Sequence, residues 1–217
     1  MPPLPALPRR YHAASVWLLY AVGLLPAAWG FYLGATGQLP GNPVKEFEHL
    51  LGLWGLRFLI ATLAITPLRD LAGINWVRYR RALGLLAFWY VLMHLAAYLL
   101  LDQYLNVGTI LVDILQRPFI TIGMAGFLML LPLAITSNNR SIRRLGRNWV
   151  RLHRLIYAIA IAGVVHFALS VKVIGAEQLV YIALVILLLG YRLTKPYLPK
   201  RKRGRYGHLS QPEAATR

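Results

Sequence analysis

Three histidines lie inside apolar runs that are long enough to cross a membrane. His94 lies in one run, and His153 and His166 lie together in a later run. An ionisable side chain inside a bilayer is costly, so its presence there indicates a function. Neutral imidazole is a good axial ligand for haem iron. The pattern therefore predicts a haem held between helices.

The composition indicates a membrane protein. Of the 217 residues, 58% are hydrophobic and 14% are charged, whereas a soluble domain has roughly a quarter of its residues charged. The chain has no cysteine, which excludes disulfides, cysteine–zinc sites, iron–sulfur clusters and thiol redox chemistry. The net charge of +17 raises the question of nucleic-acid binding. However, the basic residues occupy short segments between long apolar runs, so we expect contact with membrane lipids and no nucleic-acid partner.

Six apolar runs are long enough to span, since a crossing takes about 20 mostly apolar residues. The first run follows Arg9 and Arg10 and resembles a signal peptide, but its apolar stretch is too long for one. We expect it to remain as a helix that bends at Pro26. The predicted fold is an all-α bundle of six transmembrane helices near 14–34, 49–67, 82–101, 118–136, 153–171 and 177–194.

The distribution of basic residues predicts the orientation of the bundle. All but four of the 24 lysines and arginines lie in the tails, in the 68–81 and 137–152 loops, or at span edges on that side. The positive-inside rule places this side in the cytoplasm. The predicted domains are a cytoplasmic tail (1–13), a transmembrane domain (14–195) and a basic cytoplasmic tail (196–217). The four exceptions are Lys45, Arg57, Arg117 and Lys172.

Two of the histidines are predicted to lie at the same depth. His94 is 13 residues beyond Arg81, and His166 is 13 residues beyond His153. At about 1.5 Å per residue, both lie about 20 Å above the cytoplasmic edge of a roughly 30 Å core. His94 and His166 are therefore candidate ligands of one haem, and His153 lies near the cytoplasmic face. The alternative is that these histidines simply hydrogen-bond backbone carbonyls across helix interfaces.

Other polar residues give weaker signals. Arg57 lies mid-span, and no acidic residue occurs in a span core, so we expect its anion to come from elsewhere, for example a haem propionate. The alternative is that Arg57 snorkels or binds backbone carbonyls. His49 begins a span, where it could be an ordinary interfacial residue and not part of a site. The basic stretch 140–154 is expected to bind anionic lipid headgroups, with a phosphate-bearing cofactor or an acidic donor protein as alternatives.

Several short motifs, in their order and spacing, resemble one known family. From about residue 10 to 197 the chain is similar to the haem-binding membrane subunits (MsrQ or YedZ type) of bacterial periplasmic methionine sulfoxide reductase systems. These subunits belong to the wider ferric-reductase-like transmembrane group, which includes the NADPH oxidases. The motifs are Leu56-Arg57-Phe58-Leu59, Thr66-Pro67-Leu68-Arg69, Arg80-Arg81-Ala82-Leu83-Gly84-Leu85 before His94, Leu145-Gly146 through Trp149 to His153, then His166, and Ser170-Val171-Lys172.

This resemblance implies cofactors, partners and a location. It implies haem b bound through His94, His166 and His153, with one haem expected and a second left open, and a flavin mononucleotide (FMN). It also implies electron input from the quinone pool or a cytoplasmic flavin reductase, and a periplasmic molybdopterin partner that reduces oxidised methionines in envelope proteins. The location would be the bacterial inner membrane. Oxidases of the wider group carry a second, inner histidine on the third span, and here Arg80 and Arg81 occupy its place.

Two other classes of function remain as alternatives. A transporter or channel with histidine proton relays would be expected to carry intramembrane carboxylates, which we do not find in the span cores. A self-contained cytochrome b type ferric or quinone reductase would need flavin and nicotinamide domains, and only about 20 residues follow the last span. We therefore expect an electron-transfer subunit whose catalytic site lies on a partner chain.

Overall fold

The computed structural model describes residues 11–197, and most of the two predicted tails lies outside this range. The described residues form helices and no strands. Six helical segments are long and apolar enough to cross a membrane, which confirms the predicted number of spans. These segments are His12–Ala35, Pro43–Leu71, Val77–Asp102, Pro118–Ile135, Arg147–Leu169 and Ala176–Tyr197.

The helices are numbered in chain order. They are α1 (His12–Ala35), α2 (Pro43–Leu71), α3 (Arg80–Ala97), α4 (Val107–Gln116), α5 (Pro118–Ile135), α6 (Asn139–Leu145), α7 (Arg147–His153), α8 (Leu155–Leu169) and α9 (Ala176–Thr194). A 3₁₀ turn (Val77–Tyr79) leads into α3, a π-helical turn (Tyr98–Asp102) ends it, and a 3₁₀ turn (Lys195–Tyr197) follows α9.

The structure adds elements that the apolar runs did not predict. The 102–117 connection contains the short helix α4, and the 137–152 connection contains α6 and α7. Helix α2 is longer than the predicted 49–67 span and includes Glu48, which is only 8% exposed. Glu48 precedes the predicted span, so this buried carboxylate belongs to the part of α2 that the apolar run did not predict.

Local signals explain where these helices begin and end. Asn42 caps α2, its side chain accepting hydrogen bonds from the backbone of Val44 and Lys45, and Pro43 occupies the first helical position. Asparagines also cap α4 and α6 in the same way. Gly146, with a φ of 49°, separates α6 from α7, because a left-handed backbone breaks the helix.

Two helical hairpins form the centre of the bundle. Helix α2 packs along α3 to form the first hairpin, and α5 packs along α8 to form the second hairpin. Leu51, Leu86, Tyr90 and Ala160 are fully buried in the core that these hairpins share. The hairpins therefore form a scaffold that can hold a site between them.

The two ends of the bundle differ in charge. We call the end formed by residues 72–79, 136–154 and 192–197 the basic end, and the end formed by residues 36–48, 102–117 and 170–177 the opposite end. The basic end carries nine lysines and arginines, whereas the opposite end carries three, namely Lys45, Arg117 and Lys172.

Helix α1 is tied to the first hairpin by a tyrosine. The hydroxyl of Tyr90 donates to the carbonyl of Gly23 (2.7 Å) and accepts from the backbone N–H of Ala27 (3.1 Å). In an unbroken helix, Ala27 would donate to Gly23 itself, so the hydroxyl takes the place of one step of the α1 ladder. This step lies beside Pro26, where the sequence predicts a bend.

Candidate cofactor site

His94 and His166 face each other between the two hairpins. His94 projects from α3 and His166 from α8, and their ring centroids are 6.0 Å apart with the ring planes at 82°. Depth counting along two separate helices placed these residues at one level, and the structure brings them together. Two metal–imidazole bonds of about 2 Å each, together with the two ring radii, give a centroid separation of about 6 Å.

Each of these imidazoles is held by a backbone carbonyl of its own hairpin. The Nδ1 of His94 donates to the carbonyl of Glu48 at 2.8 Å, and the Nδ1 of His166 donates to the carbonyl of Phe119 at 2.6 Å. A carbonyl oxygen can only accept, so Nδ1 carries the proton and the neutral ring presents a bare Nε2. Hydrogen bonding to a backbone carbonyl was the alternative to metal binding for these histidines. The structure shows that the two are compatible, because the carbonyl engages Nδ1 and leaves Nε2 free to bind a metal.

A glycine on the neighbouring helix makes room for each imidazole. A Cβ atom on Gly52 would lie 3.2 Å from His94 Nδ1, and a Cβ atom on Gly123 would lie 2.8 Å from His166 Nδ1. Each glycine lies one turn beyond the carbonyl that accepts the hydrogen bond, at Glu48 and Phe119 respectively. The two hairpins thus hold their histidines by the same local arrangement.

The two rings line a cavity of about 440 Å³ between the hairpins. This size falls within the roughly 300–1,000 Å³ of small-molecule sites. Three more glycines face it, and a Cβ on Gly55 would meet Val91 at 3.0 Å, so the helices approach closely there. The other wall residues are mainly apolar, including Leu53, Leu56, Leu59, Ala87, Val91, Ile120, Phe127, Leu130, Ile159 and Phe167.

The donor set of this cavity fits a haem better than a bare metal ion. Within residues 11–197 no group of three or more histidine, aspartate or glutamate side chains converges on one point. A bare transition-metal ion needs about four protein ligands, whereas haem iron needs only axial ones. Two opposed neutral imidazoles in an apolar, glycine-lined cavity therefore meet the requirements of a haem.

Two basic residues line the end of this cavity that faces the opposite end of the bundle. Lys45 pairs with Asp102 at 2.6 Å and with Glu48 at 3.5 Å, and Arg117 pairs with Asp113 at 3.1 Å. Sequence reasoning did not assign them to a site. A signal was present, however, because Lys45 and Arg117 are two of the four basic residues that depart from the positive-inside pattern.

Arg57 has protein partners and does not line this cavity. Its Nε donates to the hydroxyl of Tyr181 at 2.7 Å, its Nη2 lies 3.9 Å from a carboxylate oxygen of Glu177, and its guanidinium lies 5.0 Å from the Trp54 ring centroid. Glu177, at the start of α9, therefore offers Arg57 an anion from the edge of a span, as an alternative to the haem propionate that the sequence suggested.

A second cavity of about 820 Å³ lies toward the basic end, and we call it the inner cavity. His153, Arg80 and Arg81 line it, so the structure brings together the remaining candidate site residues. His153 stacks on Trp149 with ring centroids 3.8 Å apart, and its Nδ1 bonds the Trp149 carbonyl at 3.1 Å. Its Nε2 is buried without a hydrogen-bond partner. Arg81 donates to the side chain of Asn139 at 2.9 Å.

The other histidines lie at the margins of these cavities. His49 is exposed, borders the first cavity and packs against Phe167 with ring centroids 5.8 Å apart. His12 borders the inner cavity. His208 lies outside the described residues.

Comparison with known proteins shows clear relatives. Residues 51–164 match the family described as ferric reductase like transmembrane component. The chain is 63% identical over 212 residues to the protein-methionine-sulfoxide reductase heme-binding subunit MsrQ of Rhizobium meliloti (strain 1021), covering 97% of this chain and 98% of that protein. It is 63% identical over 189 residues to the protein of the same name from Brucella ovis, covering 87% and 86% of the two chains. No solved structure matches.

Proposed function

Because the chain belongs to the family of MsrQ haem-binding subunits, within the ferric-reductase-like transmembrane proteins, we propose that it carries electrons across the membrane to a methionine sulfoxide reductase. The acceptor is a periplasmic molybdopterin subunit that repairs oxidised envelope proteins, and the membrane is the bacterial inner membrane. The donor is the quinone pool or a cytoplasmic flavin reductase. The chain itself makes no bond on the substrate.

The observation that carries this proposal is the pair formed by His94 and His166. Their 6.0 Å centroid separation and bare Nε2 atoms suit two axial bonds to one iron. A haem b bound here supplies an iron that cycles between the ferrous and ferric states. The protein orients both imidazoles through backbone carbonyls, and the apolar walls keep water from the iron.

Lys45 and Arg117 are the residues best placed to hold the carboxylates of a haem. They are the two cations on the largely apolar cavity wall, and both lie at its end toward the opposite end of the bundle. Asp102 and Asp113 pair with these cations in the structure, so a haem propionate would bind by taking over part of these ion pairs. Arg57, with Glu177 and Tyr181 as partners, supports the packing of α9 instead.

The charge distribution supports the direction of electron flow. The basic end carries the connections that the positive-inside rule places in the cytoplasm, so the cavity with His94 and His166 lies nearer the periplasmic face. Electrons that enter at the basic end would pass the inner cavity before they reach this pair. FMN, which the family resemblance implies, would belong at that entrance.

Replacement of the two ligands tests the proposal directly. His94→Ala and His166→Ala should each abolish the low-spin haem spectrum and electron transfer, while the protein still inserts in the membrane. His49→Ala is the matched control, since His49 borders the same cavity but is exposed, and it should keep the spectrum. A full complement of low-spin haem in either ligand variant would refute the assignment.

His153 decides between one haem and two. Its buried, unpartnered Nε2 in the inner cavity supports a role as a ligand or at the electron entrance. The third helix offers only Arg80 and Arg81 near it, and arginine stays protonated and is a poor iron ligand. We therefore favour one tightly bound haem, with His153 at the entrance.

The iron content per polypeptide of His153→Ala separates these roles. A drop from two to one would establish an inner haem. An unchanged value of one with slower reduction would establish the entrance role. Unchanged iron and an unchanged reduction rate would leave His153 as an interfacial residue that stacks on Trp149.

A further inference from the structure

Unpartnered polar atoms concentrate around the inner cavity. Five buried side-chain nitrogen or oxygen atoms in residues 11–197 have no hydrogen-bond partner. Four of them belong to residues that line the inner cavity, namely His12 Nδ1, Arg80 Nε, His153 Nε2 and Arg192 Nε. Buried polar groups are normally hydrogen-bonded to protein, ligand or water, so these four atoms mark the inner cavity as a place where a polar group would bind.

Two of these residues converge on one hydroxyl. Arg80 Nη2 lies 2.7 Å from Thr66 Oγ1, and Arg192 Nη2 lies 2.6 Å from the same atom. Thr66 is 2% exposed, so two cations meet at a neutral, buried acceptor. Like charges held together in this way repel each other unless an anion compensates them.

The described part of the protein provides no such anion. Neither guanidinium lies within 4.0 Å of a described carboxylate. The acidic residue on the same stretch of α2 is Asp70, which Lys195 (2.6 Å), Arg69 (2.9 Å) and the hydroxyl of Tyr191 (3.2 Å) already engage. Within residues 11–197, the two guanidinium groups therefore have no carboxylate in direct contact.

We propose that Arg80 and Arg192 bind the phosphate monoester group of a small molecule that enters the inner cavity from the basic end. A phosphate monoester carries a charge of about −1.5 to −2 at neutral pH, which matches two guanidinium groups. Arginine also recognises phosphate through paired N–H donors, and each Nε here has no other partner. The aromatic residues Trp149 and Tyr157 on the cavity wall suit a planar body attached to that phosphate.

The location allows entry from the aqueous side. Arg80 is the first residue of α3, and Arg192 lies in the last turn of α9. Thr66 lies in the last two turns of α2. The proposal deepens the entrance role given to the inner cavity, but it does not depend on a haem at His94 and His166.

FMN and riboflavin are suitable probes because they differ by one phosphate and both fluoresce. We expect the purified full-length protein to bind FMN at least about tenfold more tightly than riboflavin, since two charge-assisted contacts depend on the phosphate. Inorganic phosphate should compete with FMN but not with riboflavin. Arg80→Gln and Arg192→Gln should each remove most of the FMN preference and leave riboflavin binding unchanged.

Controls separate this site from general electrostatics and from misfolding. Arg154 lines the same cavity but does not reach Thr66, so Arg154→Gln removes the same charge and should keep the FMN preference. Arg192→Lys should restore part of the preference that Arg192→Gln loses. The haem spectrum, recorded on the same samples, reports on the fold and on the proposed haem site independently of flavin binding.

Four results would overturn the proposal. Equal affinity for FMN and riboflavin in the unmodified protein would show that phosphate is not recognised. An equal loss in Arg154→Gln and Arg192→Gln would show only a general field of positive charge. Loss of haem in Arg80→Gln and Arg192→Gln, with the FMN preference intact, would assign the two arginines to haem carboxylates. If phosphatidic acid in nanodiscs displaces FMN while inorganic phosphate does not, the occupant is a lipid headgroup.

Discussion

A single methyl group on Gly123 should disturb the proposed haem site without harming the fold. In Gly123→Ala the new Cβ would lie 2.8 Å from His166 Nδ1 and 2.9 Å from Cε1, whereas ordinary contacts begin at 3.4 Å. The imidazole must therefore move by about 0.6 Å away from α5. This movement strains the 2.6 Å hydrogen bond to the Phe119 carbonyl, which fixes the ring's orientation.

The expected magnitude follows from that displacement. Loss of a hydrogen bond that orients a metal ligand typically lowers metal affinity about 10- to 100-fold. We expect a loss of haem retention in this range for Gly123→Ala. Alanine is a better helix former than glycine by roughly 0.5–1 kcal/mol, so the helix itself should not be destabilised. Haem retention should fall, while the haem-free protein should lose little thermal stability, because the gain in helix propensity offsets part of the strain at His166.

A graded series of glycine variants provides the assay and its control. A Cβ on Gly52 would lie 3.2 Å from His94, one on Gly126 would lie 3.6 Å from Ala162, and one on Gly84 would meet nothing within 4 Å. Haem per polypeptide and the reduced-minus-oxidised spectrum should decline most in Gly123→Ala, less in Gly52→Ala, and little in the other two. If Gly123→Ala retains haem as well as Gly84→Ala does, the ring is not held as we describe.

Three further substitutions have definite expected outcomes. Arg57→Leu should leave the haem spectrum and midpoint potential unchanged but lower thermal stability in detergent, because the 2.7 Å hydrogen bond from Arg57 to Tyr181 is lost; a lowered potential would restore the haem-propionate role. Tyr90→Phe should cost roughly 1–3 kcal/mol in unfolding experiments, because two backbone groups of α1 lose their partner, whereas exposed Tyr32→Phe should cost little. Leu105→Gly should raise the melting temperature, since a φ of 58° costs a branched residue about 1 kcal/mol or more; an unchanged or lower value would show that the turn is not strained.

The sequence predicted those parts of the fold that depend on long apolar runs. The number of spans and the pairing of His94 with His166 followed from hydropathy and from about 1.5 Å of rise per residue. Both are one-dimensional properties, so counting along the chain was sufficient. The short helix α4 was missed because its ten residues are too few to span and its connection lacks a long apolar run.

Contacts between segments that are distant in the sequence could not be predicted by counting residues along the chain. The partner of Arg57 is Glu177, which lies 120 residues later in the chain, and only the packing of α9 against α2 brings them together. The convergence of Arg80 and Arg192 on Thr66 depends on the packing of three helices. The roles of Lys45 and Arg117 could have been suspected, since both are basic residues on the side where the positive-inside rule expects few.

The division of the two histidines between separate hairpins constrains how the protein is made. His94 leaves the ribosome 72 residues before His166, and each ring is oriented by a carbonyl of its own hairpin. Each half can therefore prepare its imidazole during insertion, but a complete pair of axial nitrogens exists only after α8 has entered the membrane. On the proposed assignment, haem binds late in biogenesis. The bound haem then links two hairpins that were inserted into the membrane one after the other.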